Sequence, residues 1–163
     1  MTEHKATTSW RHAGPDFLSG EYSREHVWKF DGGVTVPASP SPSVVPVPCS
    51  NPAHVDPEEA FVAAVSSCHL LTYLYLACQR GFQVESYDDE AIGTMTRNER
   101  GVPWVSLITL RPRIIYGGNR FPAPAEEEQL HQLAHEQCFI ANSIKSTVVV
   151  EVSKGKDIVP HTA

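Results

Sequence analysis

Between Ala60 and Cys78 the chain runs for nineteen residues without an Asp, Glu, Lys or Arg. A run this long and apolar is either a membrane span or a helix covered by protein on most of its circumference. Ser66, Ser67, His69 and Thr72 lie inside it, and no second span accompanies it, so the hydropathy rules favour the covered helix. Its start is well marked. Asp56 is placed to cap, Pro57 fits the first helical position, and Glu58 and Glu59 complement the positive end of the helix dipole. Glu59 follows Asp56 by three residues, the spacing of a capping box. Gly81 supplies the stop. On spacing alone Glu58 reads as a solvated first-turn acid.

The 163 residues suit a single domain, 1–163, with room for a real core. A formal net charge of −6 offers no basic face for nucleic acid. The opening "MTEHKATTSW" has no apolar stretch of the kind a secretory signal needs. Four cysteines in a chain of this size do not make a secreted disulfide scaffold. The expectation is a cytoplasmic protein with no membrane partner.

Upstream of the long helix, "EYSREHVWKFDGGVTVPAS" reads as two strands joined at Gly32-Gly33, with Arg24 in the first of them. Seven prolines between Pro37 and Pro57 mark an extended loop. Val44, Val45 and Val47 suggest that it packs on something. Downstream, "FQVESYDDEAIGTMTRNERGVPWVSLITLRPRIIYGG" reads as one long hairpin turning at Asn98–Gly101. In "PAEEEQLHQLAHEQC", Leu130, Leu133, Ala134 and Cys138 recur at helical spacing behind a first turn rich in acids. "STVVVEV" reads as a closing β-branched strand. Strands, helix, strands, helix, strand is an α+β order with a mostly antiparallel sheet.

Most free cysteines are inert small hydrophobes. Cys78 follows Cys68 by ten residues on one helix, about 15 Å along its axis, too far for a disulfide. Cys49 lies in the proline-rich loop without a readable partner. Cys138 ends the second helix, and its distance from Cys68 is open at this level. If a pair does redox chemistry, Cys68 with Cys138 is the one that geometry permits. Cys68 sits in mid-helix, away from the dipole that favours thiolates, and apolar surroundings disfavour the anion. A reactive Cys68 therefore needs a cation from elsewhere, with Arg24 the first candidate and Arg11 the second. His131, His135 and Cys138 share one helical face and form a competing constellation, three ligands of a zinc site. The same face carries the hydrophobic pattern, and no fourth ligand follows from spacing.

"DPEEAFVAAVSSCH", followed about seventy residues later by "HEQCFIANSIKSTVVVEV", resembles the OsmC/organic hydroperoxide resistance family. The likeness covers most of the chain: both cysteine-bearing segments, the strands between them and the last strand. It implies an OsmC-like fold, a mostly antiparallel sheet wrapped around two cysteine-bearing helices, in an intertwined homodimer with sites at the interface. It implies a thiol peroxidase in which Cys68 attacks an organic hydroperoxide and Cys138 resolves the sulfenic acid to a disulfide. Arg24 and Glu58 would hold the thiolate and the peroxide. A reducing dithiol, dihydrolipoamide among the candidates, would be the co-substrate, with no bound cofactor or metal. An alternative within the same fold is a binding or electrophile-scavenging protein without strong peroxidase activity. His69 departs from the family's pattern, which has a bulky apolar residue after the first cysteine. It could tune the thiolate, although neighbouring helix positions diverge by ~100°.

Overall fold

The charge-free run forms the body of α1 (Pro57–Gln79), in the computed structural model of the chain. The expected capping box is present. Glu59 N–H donates to Asp56 Oδ1 at 2.7 Å, and Asp56 N–H donates to Glu59 Oε2 at 3.1 Å. Gly81, at φ +76°, ends the helix in the left-handed region. The amides of Gly81 and Phe82 then reach back to the carbonyls of Cys78 and Ala77, each at 3.0 Å.

The structure describes residues 2–14 and 17–152. These divide into two compact units, 1–60 and 61–163, whose boundary falls in the first turns of α1.

The first unit is a three-stranded antiparallel meander: β1 (Ala6–Ser9), β2 (His26–Phe30) and β3 (Thr35–Ala38). The β2–β3 turn falls at Gly32-Gly33, with Gly33 at φ +87°. β1 is invisible in the sequence because "ATTS" has no apolar alternation. Arg24, read above as a strand residue, lies before β2, and its N–H donates to Cys49 O at 3.0 Å. The proline-rich loop makes no strand beyond one bridge between Ala38 and Val55. Val44 and Val47, expected to pack, are exposed, while Val45 is half-buried.

The second unit holds β4 (Gln83–Asp89), β5 (Ile92–Arg97), β6 (Pro103–Leu110), β7 (Pro112–Gly117), α2 (Pro124–Gln137), a 3-10 turn at Ala141–Ser143, and β8 (Thr147–Val150). The long hairpin turns where expected: Gly101 N–H donates to Asn98 O at 2.8 Å, with Gly101 at φ +75°. Its arms are broken, however, so that β4 pairs with β7 and β5 with β6 in separate ladders. The register runs on through the break, from Asp89 opposite Pro112 to Ile92 opposite Thr109. Asp89 accounts for the break. Its carboxylate accepts the Arg111 N–H at 2.6 Å and the hydroxyl of Ser66 on α1 at 2.5 Å, which ties the kink to the helix. β8 joins β6 in parallel, the only parallel pair of strands among the described residues.

Two cores meet α1. One joins Tyr73, Leu76 and Ala77 to Phe82, Leu130 and Ala134. The other joins Val65 to Ile108 and Leu110, with Phe61, Val62, Ile140 and Ile144 packed around it. Fully burying one such large side chain stabilises the fold by about 1.5–3 kcal/mol. The close approach of β5 to α1 depends on Gly93, where an added Cβ would lie 2.5 Å from Val62 Cγ2 and 3.3 Å from Val105 Cγ1. Gly93→Ala is therefore expected to destabilise the protein by about 1–3 kcal/mol through overpacking. A urea titration checks this. An unchanged midpoint would mean that the helix and strand separate without cost.

Candidate active site: two thiols and a turn

Cys68 is half-buried on α1, and Cys138, the residue immediately after α2, is fully buried. Packing of the two helices brings them together, Leu130 and Ala134 of α2 lying in one core with Tyr73, Leu76 and Ala77 of α1. Consecutive amides of one turn reach the two sulfurs, and all four cysteines are free thiols. Burial, with Cys68 adding to it, pushes the Cys138 thiol up to about 11, while the amides of Ala141 and Ile140 oppose the rise. Cys78 is exposed, ten residues along α1 from Cys68, and Cys49 belongs to the N-terminal unit.

The turn after α2 supplies both thiols with backbone donors. Ile140 N–H lies 3.5 Å from Cys68 Sγ, and Ala141 N–H lies 3.4 Å from Cys138 Sγ. Asn142 holds this turn in place. Its side-chain amide donates to Glu136 O at 2.8 Å and Cys138 O at 2.9 Å, and its N–H donates to Cys138 O at 3.0 Å. Ser143 Oγ donates to Phe139 O at 2.7 Å. Ile140 and Ile144 fasten the turn to the core around Val65. Sequence reasoning missed Asn142; the only signal was a cluster of small polar residues directly after a helix end.

The other expected participants, Glu58, Arg24 and Arg11, belong to residues 1–60, the other unit from Cys68. Glu58 is in the first turn of α1, ten residues of unbroken helix before Cys68, or about 15 Å along the axis. No glutamate side chain spans that distance within one chain. Arg24 belongs to the N-terminal unit. There its guanidinium donates to Tyr22 O and Gly20 O, each at 3.2 Å, and lies 4.3 Å from the centroid of the Tyr22 ring. Arg11 is exposed in the same unit.

The histidines are arranged differently from the expected constellation. His131 turns toward α1, where its Nδ1 is 3.1 Å from His69 Nε2 and the two rings lie parallel. Both imidazoles are buried, at 1% and 3% exposure. Burial holds His69 down at about 4, Asp89 opposing the shift and His135 adding to it. Burial and His69 hold His131 down at about 3. One nitrogen of each pairs with the other ring, while His69 Nδ1 and His131 Nε2 are buried without a protein partner. His69 thus faces His131. Among the described residues no group of three or more His, Cys, Asp or Glu side chains is arranged to hold a metal ion.

Two free thiols reached by consecutive amides of one turn, on an α+β scaffold of two helices and mixed sheets, make up the candidate site. The profile of the family described as OsmC-like protein matches residues 50–153, more than half of the chain. This chain belongs to the OsmC-like protein family. A solved OsmC-like protein of unknown function from Vibrio cholerae is 48% identical, with a TM-score of 0.91 over 93% of this chain and 99% of that one. An organic hydroperoxide resistance protein from Elizabethkingia anophelis, solved with crystallant-derived thiocyanate bound, is 17% identical with a TM-score of 0.67, covering 93% and 94%. The organic hydroperoxide resistance protein OhrB of Bacillus subtilis is 16% identical with a TM-score of 0.60, covering 93% and 96%. At these identities the last two show a common fold. No curated protein matches the chain in sequence.

Proposed function

We propose that this protein is a thiol-dependent peroxidase that reduces organic hydroperoxides. The observation that carries the reading is that consecutive amides of one turn, Ile140 N–H and Ala141 N–H, reach the Cys68 and Cys138 sulfurs, which sets the two thiols beside one another. Cys68 thiolate attacks the distal peroxide oxygen. An S–O bond forms, the O–O bond breaks, and the alkoxide takes up a proton and leaves as the alcohol. Cys68 is now a sulfenic acid. Cys138 attacks its sulfur, the S–S bond forms, and water leaves with the proton given up by Cys138. A dithiol such as dihydrolipoamide then reduces the disulfide and returns both thiols. The half-buried cysteine thus meets its resolving partner before its sulfenic acid can climb the oxidation ladder. Val65 and Ile140 pack in one core beside the site, an apolar setting that favours organic hydroperoxides over hydrogen peroxide. The protein acts in the cytoplasm, without nucleic acid or membrane.

The working unit in this reading is a homodimer. Buried residues of α1 form one stripe: Val65, His69, Tyr73, Leu76 and Ala77. Opposite it runs a second, uncharged stripe of exposed residues: Ala64, Ser67, Leu71, Tyr75 and Cys78. Leu71 is 64% exposed, Tyr75 59%, and Phe139, between the two site segments Cys138 and Ile140, 83%. α1 is also long and apolar enough to cross a membrane, but its buried stripe packs against strands and α2. A second copy of this chain would cover the other stripe and bring its Glu58 to Cys68, which Glu58 of the same chain cannot reach. A guanidinium, Arg24 in this reading, would hold thiolate and peroxide and be fixed in turn by that carboxylate.

Steady-state assays with organic hydroperoxide and a panel of thiol donors test the activity. Multiple turnovers with a dithiol are expected. A single stoichiometric event without turnover would instead describe an electrophile scavenger. Mixing Glu58→Ala with Cys68→Ser subunits tests the shared site. Neither parent should turn over, and heterodimers should recover one site in two. No recovery in verified heterodimers, or an active monomer by sedimentation, contradicts it.

A further inference from the structure

The residues that the family resemblance assigns to holding the thiolate, Arg24 and Glu58, are side chains. The turn at 138–143 presents something else, two consecutive backbone N–H groups aimed at two sulfurs. Ile140 N–H reaches Cys68 Sγ at 3.5 Å and Ala141 N–H reaches Cys138 Sγ at 3.4 Å. Ile140 N–H also contributes to the field at Cys138. Consecutive amides converging on one point form an anion-binding concavity. A hydrogen bond to the charged form of a group favours that form. The turn is fixed by Asn142, Ser143 and the packing of Ile140 and Ile144, so its donors are preorganised.

We propose that the Ile140 and Ala141 amides form a backbone cradle for sulfur anions, shared by the two cysteines and serving each in turn. The proposal rests on the peroxidase reading for its place in a reaction, and it deepens that reading by naming a stabilising group beyond the side chains. In the first step Ile140 N–H stabilises Cys68 as the thiolate that attacks the peroxide. In the second, the proton on Cys138 leaves, and Ala141 N–H with Ile140 N–H stabilises that sulfur while it attacks the Cys68 sulfenic acid. No movement of the turn is needed, because each sulfur already has an amide of the turn within 3.5 Å.

Removing a single N–H tests this without touching a side chain. The Ile140 amide is replaced by an ester through incorporation of the α-hydroxy analogue of isoleucine, in a Cys138→Ser background. Ile140→Pro deletes the same N–H by a second route, and the native φ of −69° suits proline. Peptide-resolved alkylation of Cys68 is followed across pH. A hydrogen bond to a charged group contributes about 1.5–3 kcal/mol, so labelling at neutral pH should slow by at least ~10-fold in both variants. The difference should vanish at strongly alkaline pH, where the thiolate forms without help. A merely structural change would alter labelling at all pH values alike. Equal or faster labelling at neutral pH in the folded variants overturns the cradle. Because labelling needs no peroxide, a wild-type protein that consumed none would refute the peroxidase reading and leave this result standing.

Discussion

Cys68→Ser is expected to lower peroxide consumption by at least ~10³-fold, the scale on which removing a nucleophile acts, with a stability change within about 1 kcal/mol. Both halves follow from position. The sulfur is the atom that forms the bond to oxygen in the proposed reaction, and a hydroxyl is a far weaker nucleophile at neutral pH. The side chain is half-buried, and serine nearly preserves its volume and accepts the Ile140 N–H. Cys138→Ser should behave differently. It should complete the first step, then accumulate sulfinic or sulfonic acid at Cys68, because no thiol is left to capture the sulfenic acid. Coupled consumption assays and intact-mass measurement separate the two variants. Retention of turnover by Cys68→Ser would move the chemistry to another cysteine.

Acid is expected to destabilise the protein steeply between about pH 6.5 and pH 4, through His69 and His131. In the native state they titrate at about 4 and about 3, against the ordinary 6.5. Above pH 6.5 both are neutral in either state, and the stability is fully present. Below it the unfolded chain takes up protons that the native pair refuses, so stability falls with pH until the native groups themselves titrate. Each histidine contributes a loss on the order of 3 kcal/mol by pH 4, at ~1.4 kcal/mol per pH unit. Two together remove a large part of the ~5–15 kcal/mol that such a domain possesses. Denaturant titrations across pH give the slope, and His131→Phe should roughly halve it in this window. An unchanged slope in that variant would assign the acid transition to carboxylates.

How far this molecule can be read from its sequence varies with the kind of interaction. α1 was legible to the residue at its N-terminus, because Asp56, Pro57 and Glu59 act locally and their contacts are made within one turn. The Gly32-Gly33 and Asn98–Gly101 turns were legible for the same reason, since positive φ singles out glycine. The break in the long hairpin was not, because it depends on Asp89 meeting Ser66 and Arg111, twenty-two or more residues away. β1 was missed because its strand character comes from pairing with β2 and not from its own four residues.

At the site, helix rise excluded Cys78 as a disulfide partner of Cys68, but it left Cys138 open. Only tertiary packing puts Cys138 against Cys68. The three residues grouped by helical spacing, His131, His135 and Cys138, illustrate the limit. Spacing identifies a shared face but not what the face meets, and His131 meets His69 across the helix pair. The amides of Ile140 and Ala141 carry no side-chain signature at all. Any residue but proline at those positions has an N–H, and the turn geometry alone decides where it points.

The central claim, that Cys68 and Cys138 form one redox couple, is tested most directly by peptide mapping after one equivalent of an organic hydroperoxide under non-reducing conditions. The account predicts a single new intramolecular disulfide joining the Cys68 and Cys138 peptides, with Cys49 and Cys78 still alkylatable, and its loss on adding a dithiol. Cys68 recovered as a free thiol, or bridged to Cys49, would contradict it.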